Sequence, residues 1–144
     1  MPEERCELPG SNLSDREALE LMKKHKNIAV VGLSSNPAKP SNYVPAYLKE
    51  HGWKIFPVNP TINGEVLGEK AYATLYDVPE RVDIVEIFRP PSEVLPIVKE
   101  AIERGVKAIW MQSGIVNNEA AKLARDAGLT VVMDKCMMAL HQRS

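Results

Sequence analysis

Cysteine, histidine and charge imbalance are all scarce in this chain of 144 residues, and each shortage removes a class of protein. There are two cysteines, Cys6 and Cys136. They build no disulfide framework, and neither stands at a zinc-ligand spacing from histidine, so the disulfide-stapled and zinc-finger classes drop out. The expected compartment is a reducing, cytoplasmic one. The three histidines, His25, His51 and His141, have no nucleophile near them in sequence. No Gly-x-Ser-x-Gly elbow, Gly-Lys-Ser/Thr loop or metal-spaced cluster occurs, so no catalytic constellation is spelled out. Lys and Arg number 18 against 19 Asp and Glu, a formal net charge of −1. That balance provides no basic field to hold nucleic acid. The one basic run, Lys23 to Lys26, reads as cations at the negative end of a helix dipole. No apolar run reaches ~18 residues and no secretory segment opens the chain, so no membrane association is expected.

What remains is an ordinary globule, 44% hydrophobic and 26% charged. The length suits one domain whose core needs neither disulfides nor metal. Residues 1–13, charged and punctuated by Pro and Gly, read as a loose arm, and residues 14–144 as a single domain. Ser14 and Glu17 form a capping box ahead of the helical stripe Ala18, Leu21 and Met22. Extended patterns follow at 27–32, 53–58, 82–88, 106–111 and 129–133. Helical patterns separate them. One carries Val44, Tyr47 and Leu48 on one face, with Pro45 in its first turn and Gly52 closing it. Another runs from Val94 to near Gly105, and a third is capped by Asn117 or Asn118 and closed by Gly128. Alternating apolar strands and helices predict parallel β-α units. Right-handed crossovers then predict an α/β fold with a doubly wound parallel sheet of about five strands, in the order 3-2-1-4-5.

In such a sheet, ligands bind where the strands end, at the topological switch point. Four short segments should meet there: Gly32 to Ser41, Val58-Asn59-Pro60, Phe88-Arg89-Pro90 and Gln112-Ser113-Gly114. The first is the richest. Its glycine admits close backbone approach, Ser34 and Ser41 carry hydroxyls, Lys39 adds a point charge, and a helix N-terminus follows. The alternative is a surface loop whose serines cap a helix. Asn59 stands where a dinucleotide site usually has an acid for the ribose diol, which turns the reading from NAD toward another phosphorylated nucleotide. Arg89 can meet a ligand phosphate, or pair with Glu86 or Glu93. Cys136 follows the last strand at the same sheet edge, as a packing residue or a ligand-facing thiol.

Gly32-x-Ser34-x-x-Pro37-x-Lys39, Val58-Asn59-Pro60 and Val82-Asp83-Ile84-Val85 together resemble the CoA-binding domain of nucleoside-diphosphate-forming acyl-CoA synthetases and succinyl-CoA synthetase α chains. Phe88-Arg89, Trp110-Met111-Gln112-x-Gly114-Ile115 and Val132-Met133-Asp134-x-Cys136 bring the chain nearer to the small stand-alone CoA-binding proteins of that group. The resemblance implies a Rossmann-like domain that holds CoA, or an acyl-CoA, through its ADP half. It implies that Gly32, Leu33, Ser34, Lys39, Ser41 and Asn42 form the phosphate-facing segment. Val58, Asn59 and Pro60 would then line the adenosine. Phe88, Arg89, Pro90, Gln112 and Ser113 would flank the ligand, with Cys136 near its thiol end. The synthetases also need a phosphorylated histidine and a nucleotide-grasping domain, for which 144 residues leave no room. The expectation is a non-catalytic CoA-binding protein serving a partner enzyme or forming a homo-oligomer. The alternatives are an NAD(P)-linked oxidoreductase, for which no hydride-transfer acid–base pair is found, and a nucleotide-sensing regulator, which lacks a DNA-binding helix pair.

Overall fold

Five apolar runs in this sequence form one parallel sheet. The computed structural model describes residues 8–144. In it β1 (Asn27–Val31) and β2 (Lys54–Val58) precede a small antiparallel hairpin, β3 (Glu65–Val66) and β4 (Glu69–Lys70). Then come β5 (Ile84–Ile87), β6 (Ala108–Met111) and β7 (Thr130–Val132). The helices are α1 (Asp15–Lys24), α2 (Pro40–Glu50), α3 (Val94–Arg104), α4 (Asn118–Asp126) and α5 (Met137–Gln142). Every residue of β5 and β6 is buried, as strands covered on both faces should be. On one face Val85, Ile87, Ile109 and Met111 pack under α3 and α4. On the other, Val30, Ile84 and Trp110 pack under α1, α2 and α5. The doubly wound α/β architecture is therefore as expected, and the capping box of α1 forms with both hydrogen bonds, 2.9 and 3.1 Å.

The strand order is not as expected. The sheet runs β2-β1-β5-β6-β7, so the main strands stand in the order 2-1-3-4-5 rather than 3-2-1-4-5. Pro57 supplies a physical reason. It lies inside β2 opposite Val30. Its carbonyl points away from β1 and accepts from the Tyr72 N–H at 2.9 Å, whereas the next carbonyl, of Val58, accepts from the Gly32 N–H of the β1 side at 2.9 Å. A residue in a parallel strand presents N–H and C=O to the same side, so the N–H that Pro57 lacks would face outward. On an edge strand nothing is lost. In the middle of a sheet a neighbouring carbonyl would be orphaned.

A second proline is also placed differently. α2 starts at Pro40, where a missing N–H is harmless, and Pro45 lies deeper, inside the helix. The Ser41 carbonyl that Pro45 cannot serve accepts instead from the Ser34 N–H at 3.2 Å. A helix bond is thereby exchanged for a tie to the preceding loop.

Of the expected loose arm, residues 1–7 lie outside the described residues, and residues 8–13 are held. Asn12 brackets the backbone of Met133, donating from Nδ2 at 2.7 Å and accepting at Oδ1 at 2.9 Å. Gly10 N–H donates to Asn118 Oδ1 at 2.7 Å, and Asn118 Nδ2 donates to the Leu8 carbonyl at 2.6 Å. The reason is geometric: Met133 directly follows edge strand β7, and a side-chain amide can satisfy its unpaired backbone.

α5 docks through a ring cluster. Tyr47 hydroxyl and His141 Nδ1 are 2.6 Å apart, Tyr47 stacks on His51 with centroids at 4.0 Å, and Trp53 meets His141 edge-on at 5.2 Å. Burial holds His141 below its ordinary value, and the charges of His51, Lys23 and Lys26 push the same way. The folded protein therefore resists a proton that the unfolded chain accepts near its ordinary value of 6.5. Stability is full above that pH and is lost as pH falls through the lower folded value. In a paired thermal-unfolding series across this window, acidification should cost the wild type more melting temperature than it costs His141→Gln, the difference between the two isolating this residue from other titrating groups.

Candidate functional site

α2 leaves β1 toward β2, while β5 pairs on β1's other side, so a crevice opens where β1 and β5 end. Two clefts lie there. The larger, about 530 Å³, is lined by Lys39, Pro40, Ser41, Tyr43, Val44, Phe88, Arg89, Pro90, Gln112, Ser113, Ile115, Cys136 and Met138. The smaller, about 320 Å³, is lined by Gly32, Val58, Asn59, Pro60, Thr61, Thr74, Arg89, Glu93 and Glu100 with the apolar Val31, Ala73 and Ile97. Arg89 borders both. Twelve of the fifteen residues singled out from sequence thus stand at one sheet edge. The other three, Leu33, Ser34 and Asn42, line neither cleft.

Those three shape the loop from within. Leu33 is fully buried in the core. Ser34 Oγ accepts from the Asn36 N–H at 3.0 Å, and its carbonyl accepts from buried Asn42 Nδ2 at 2.7 Å. Asn36 Oδ1 accepts from the Ala38 N–H at 3.0 Å. With the Ser34 N–H given to Ser41, the N–H groups of Leu33, Ser35 and Ser41 are the ones in the loop that take no protein acceptor among the described residues. Lys39, at the N-cap position of α2, is exposed. Asn59 is likewise engaged: Nδ2 donates to the Leu33 carbonyl at 2.9 Å, and Oδ1 accepts from Thr61 N–H and hydroxyl at 2.9 and 2.7 Å. Arg89 forms a forked pair with Glu93, at 2.9 and 3.0 Å, one of the partners its sequence position allowed. Gly32, at φ 90°, is required by the protein itself, because a Cβ there would lie 2.7 Å from the Phe88 carbonyl oxygen.

Sequence reasoning missed the apolar wall of the larger cleft, namely Tyr43, Val44, Ile115 and Met138, which periodicity cannot tell from core. It also missed the role of Glu86. This carboxyl is fully buried, and its Oε2 accepts from Gln112 Nε2. The signal was visible as the lone charge in Ile84-Val85-Glu86-Ile87. Burial pushes it up to about 8, and the Gln112 hydrogen bond pulls the other way. The unfolded carboxyl titrates near 4.5. Across that window the folded state keeps a proton that the unfolded chain releases, so the contribution to stability is full below it and is lost as pH rises through about 8. Urea unfolding from about pH 5 to about pH 9 should show stability falling, and Glu86→Gln should remove most of that fall.

Comparison with known proteins follows the same lines. The profile of the CoA binding domain family matches residues 26–142. The YneT protein of Bacillus subtilis is 38% identical over 130 residues, covering 90% of this chain and 96% of that one. A solved structure from Thermus thermophilus, cell-free ID.343, superposes with a TM-score of 0.86 at 41% identity, covering 91% of this chain and 98% of that one. The alpha subunit of ADP-forming acetate–CoA ligase II from Pyrococcus furiosus is 39% identical over 85 residues, 58% of this chain but 18% of the subunit. A β1 strand that turns at Gly32 into α2, with the ends of β2, β5 and β6 gathered around it, is thus a pattern this protein shares across most of its length: the chain belongs to the CoA binding domain family and has its Rossmann-like α/β fold.

Proposed function

We propose that this chain binds coenzyme A or an acyl-CoA and catalyses no reaction on its own. The observation that carries the reading is the pair of clefts meeting at Arg89 above a strand–loop–helix turn. CoA has a compact, charged nucleotide end and a long, largely apolar arm that bears amides. The smaller, more polar cleft suits the adenosine, against Gly32, Val58, Asn59 and Pro60. The larger, mostly apolar cleft suits the arm, along Phe88, Pro90, Gln112 and Ser113 toward Cys136. Between them the loop offers the unclaimed N–H groups of Ser35 and Ser41, the Ser41 hydroxyl and the Lys39 ammonium, all suited to phosphate oxygens. Ser35 therefore acts through backbone, Leu33 anchors the loop in the core, and Ser34 and Asn42 act by holding the loop. Arg89 reaches phosphate once Glu93 releases it.

The NAD(P) alternative would rest on Glu93 and Glu100, the carboxylates of the smaller cleft. Neither stands at the end of β2, where a dinucleotide site keeps its ribose-binding acid: that place belongs to Asn59, and Glu100 already accepts from the Leu75 N–H at 2.7 Å. Among the described residues no helix is long and apolar enough to cross a membrane.

Calorimetric titration with CoA, dephospho-CoA and NAD tests the reading. CoA should bind best and NAD poorly; equal competition by NAD would overturn it. Lys39→Ala should weaken CoA about tenfold, the lower end of the ~1.5–3 kcal/mol range for a charged hydrogen bond, because Lys39 stands in solvent. The arm's direction has its own check. Half-buried Cys136 should attack CoA disulfide, forming a protein–CoA disulfide and releasing CoA thiolate, and peptide mapping would locate the adduct. An adduct confined to Cys6, or none while CoA still binds, would leave Cys136 a packing residue.

A further inference from the structure

Glu86 does nothing in the reading above. It lies on β5 between Val30 of β1 and Trp110 of β6, fully buried. Gln112 Nε2 is its hydrogen-bond partner, its Oε1 has none, and no cation pairs with it among the described residues. Packing does not explain such a group, since replacing a buried polar pair by apolar residues of like shape is often neutral or stabilising.

What the pair does accomplish is orientation. Gln112 is 3% exposed yet lines the larger cleft. Its amide nitrogen is turned inward to Glu86, and its Oε1 takes no protein donor, so the carbonyl end is the one left for the cleft. The wall around it is apolar: Val44, Phe88, Ile115 and Met138. An amide N–H of a ligand entering there needs an acceptor, and Gln112 presents one.

We infer that Glu86 is a positioning residue that fixes the Gln112 side chain so that Gln112 Oε1 accepts an amide N–H from the arm of the ligand. The inference rests on the CoA reading, because the arm of CoA carries secondary amides and its nucleotide end carries none.

The test compares wild type, Glu86→Met and Glu86→Gln by calorimetry with two probes, CoA and adenosine 3′,5′-bisphosphate, which lacks the arm. Glu86→Met should weaken CoA by about five- to tenfold and leave the bisphosphate unchanged. Glu86→Gln, whose carbonyl can accept the same N–H, should keep CoA within about twofold. In nitrogen-15 spectra the Gln112 side-chain NH2 signals should lose their distinct shift in Glu86→Met and keep it in Glu86→Gln. Should Glu86→Met not fold, Gln112→Leu takes its place, with the same loss for CoA and none for the bisphosphate. Unchanged CoA affinity in Glu86→Met, or equal loss of both probes by the folded variant, overturns the role of Glu86. A wild type that binds the bisphosphate no worse than CoA also overturns it, while one that binds neither overturns the CoA reading itself.

Discussion

A Cβ at position 32 would stand 2.7 Å from the Phe88 carbonyl oxygen and 2.8 Å from Arg89 Cδ. The ends of β1 and β5 therefore approach as closely as a bare Cα allows, and much else follows from that contact. It brings Arg89 across the turn, between the two clefts. It lets the chain leave β1 sharply toward α2. In the usual account, a glycine here serves the phosphate. In this protein it first serves the neighbouring strand, and the backbone N–H groups beyond it become available as a result.

The loop from Gly32 to Ser41 shows how a polar segment can be both rigid and receptive. Ser34, Asn36 and Asn42 direct their side chains to local backbone groups, which fixes the loop without a ligand. Side chains that could have met phosphate are thus employed in shape. The groups that remain are backbone donors and one lysine, a set that recognises negative charge in general. On the proposed reading, discrimination between nucleotides falls to the clefts on either side.

Much of this was legible in the sequence, because strand and helix patterns alternate cleanly and each strand ends in a polar or proline-broken segment. The convergence of four such segments follows from parallel topology alone. Strand order was harder. Its clue, Pro57 in an otherwise apolar run, speaks through hydrogen-bond direction rather than hydrophobicity. Ser34 and Asn42 could not be sorted from Ser41, since which polar atom faces inward depends on the fold of the loop. Glu86 was visible as an anomaly, but its partner Gln112 lies a strand and a helix later. Six-residue α5 is too short for its periodicity to show.

The two margins of the sheet carry a consequence for how copies of this chain can meet. On β2, Pro57 offers no donor, and Tyr72 already occupies the outward carbonyl. Past β7, the Asn12 amide fills both the donor and the acceptor of Met133. An incoming strand from a second molecule would have to evict one of these groups before its ladder could run past these positions. Continuous cross-molecular sheets are therefore disfavoured at both margins.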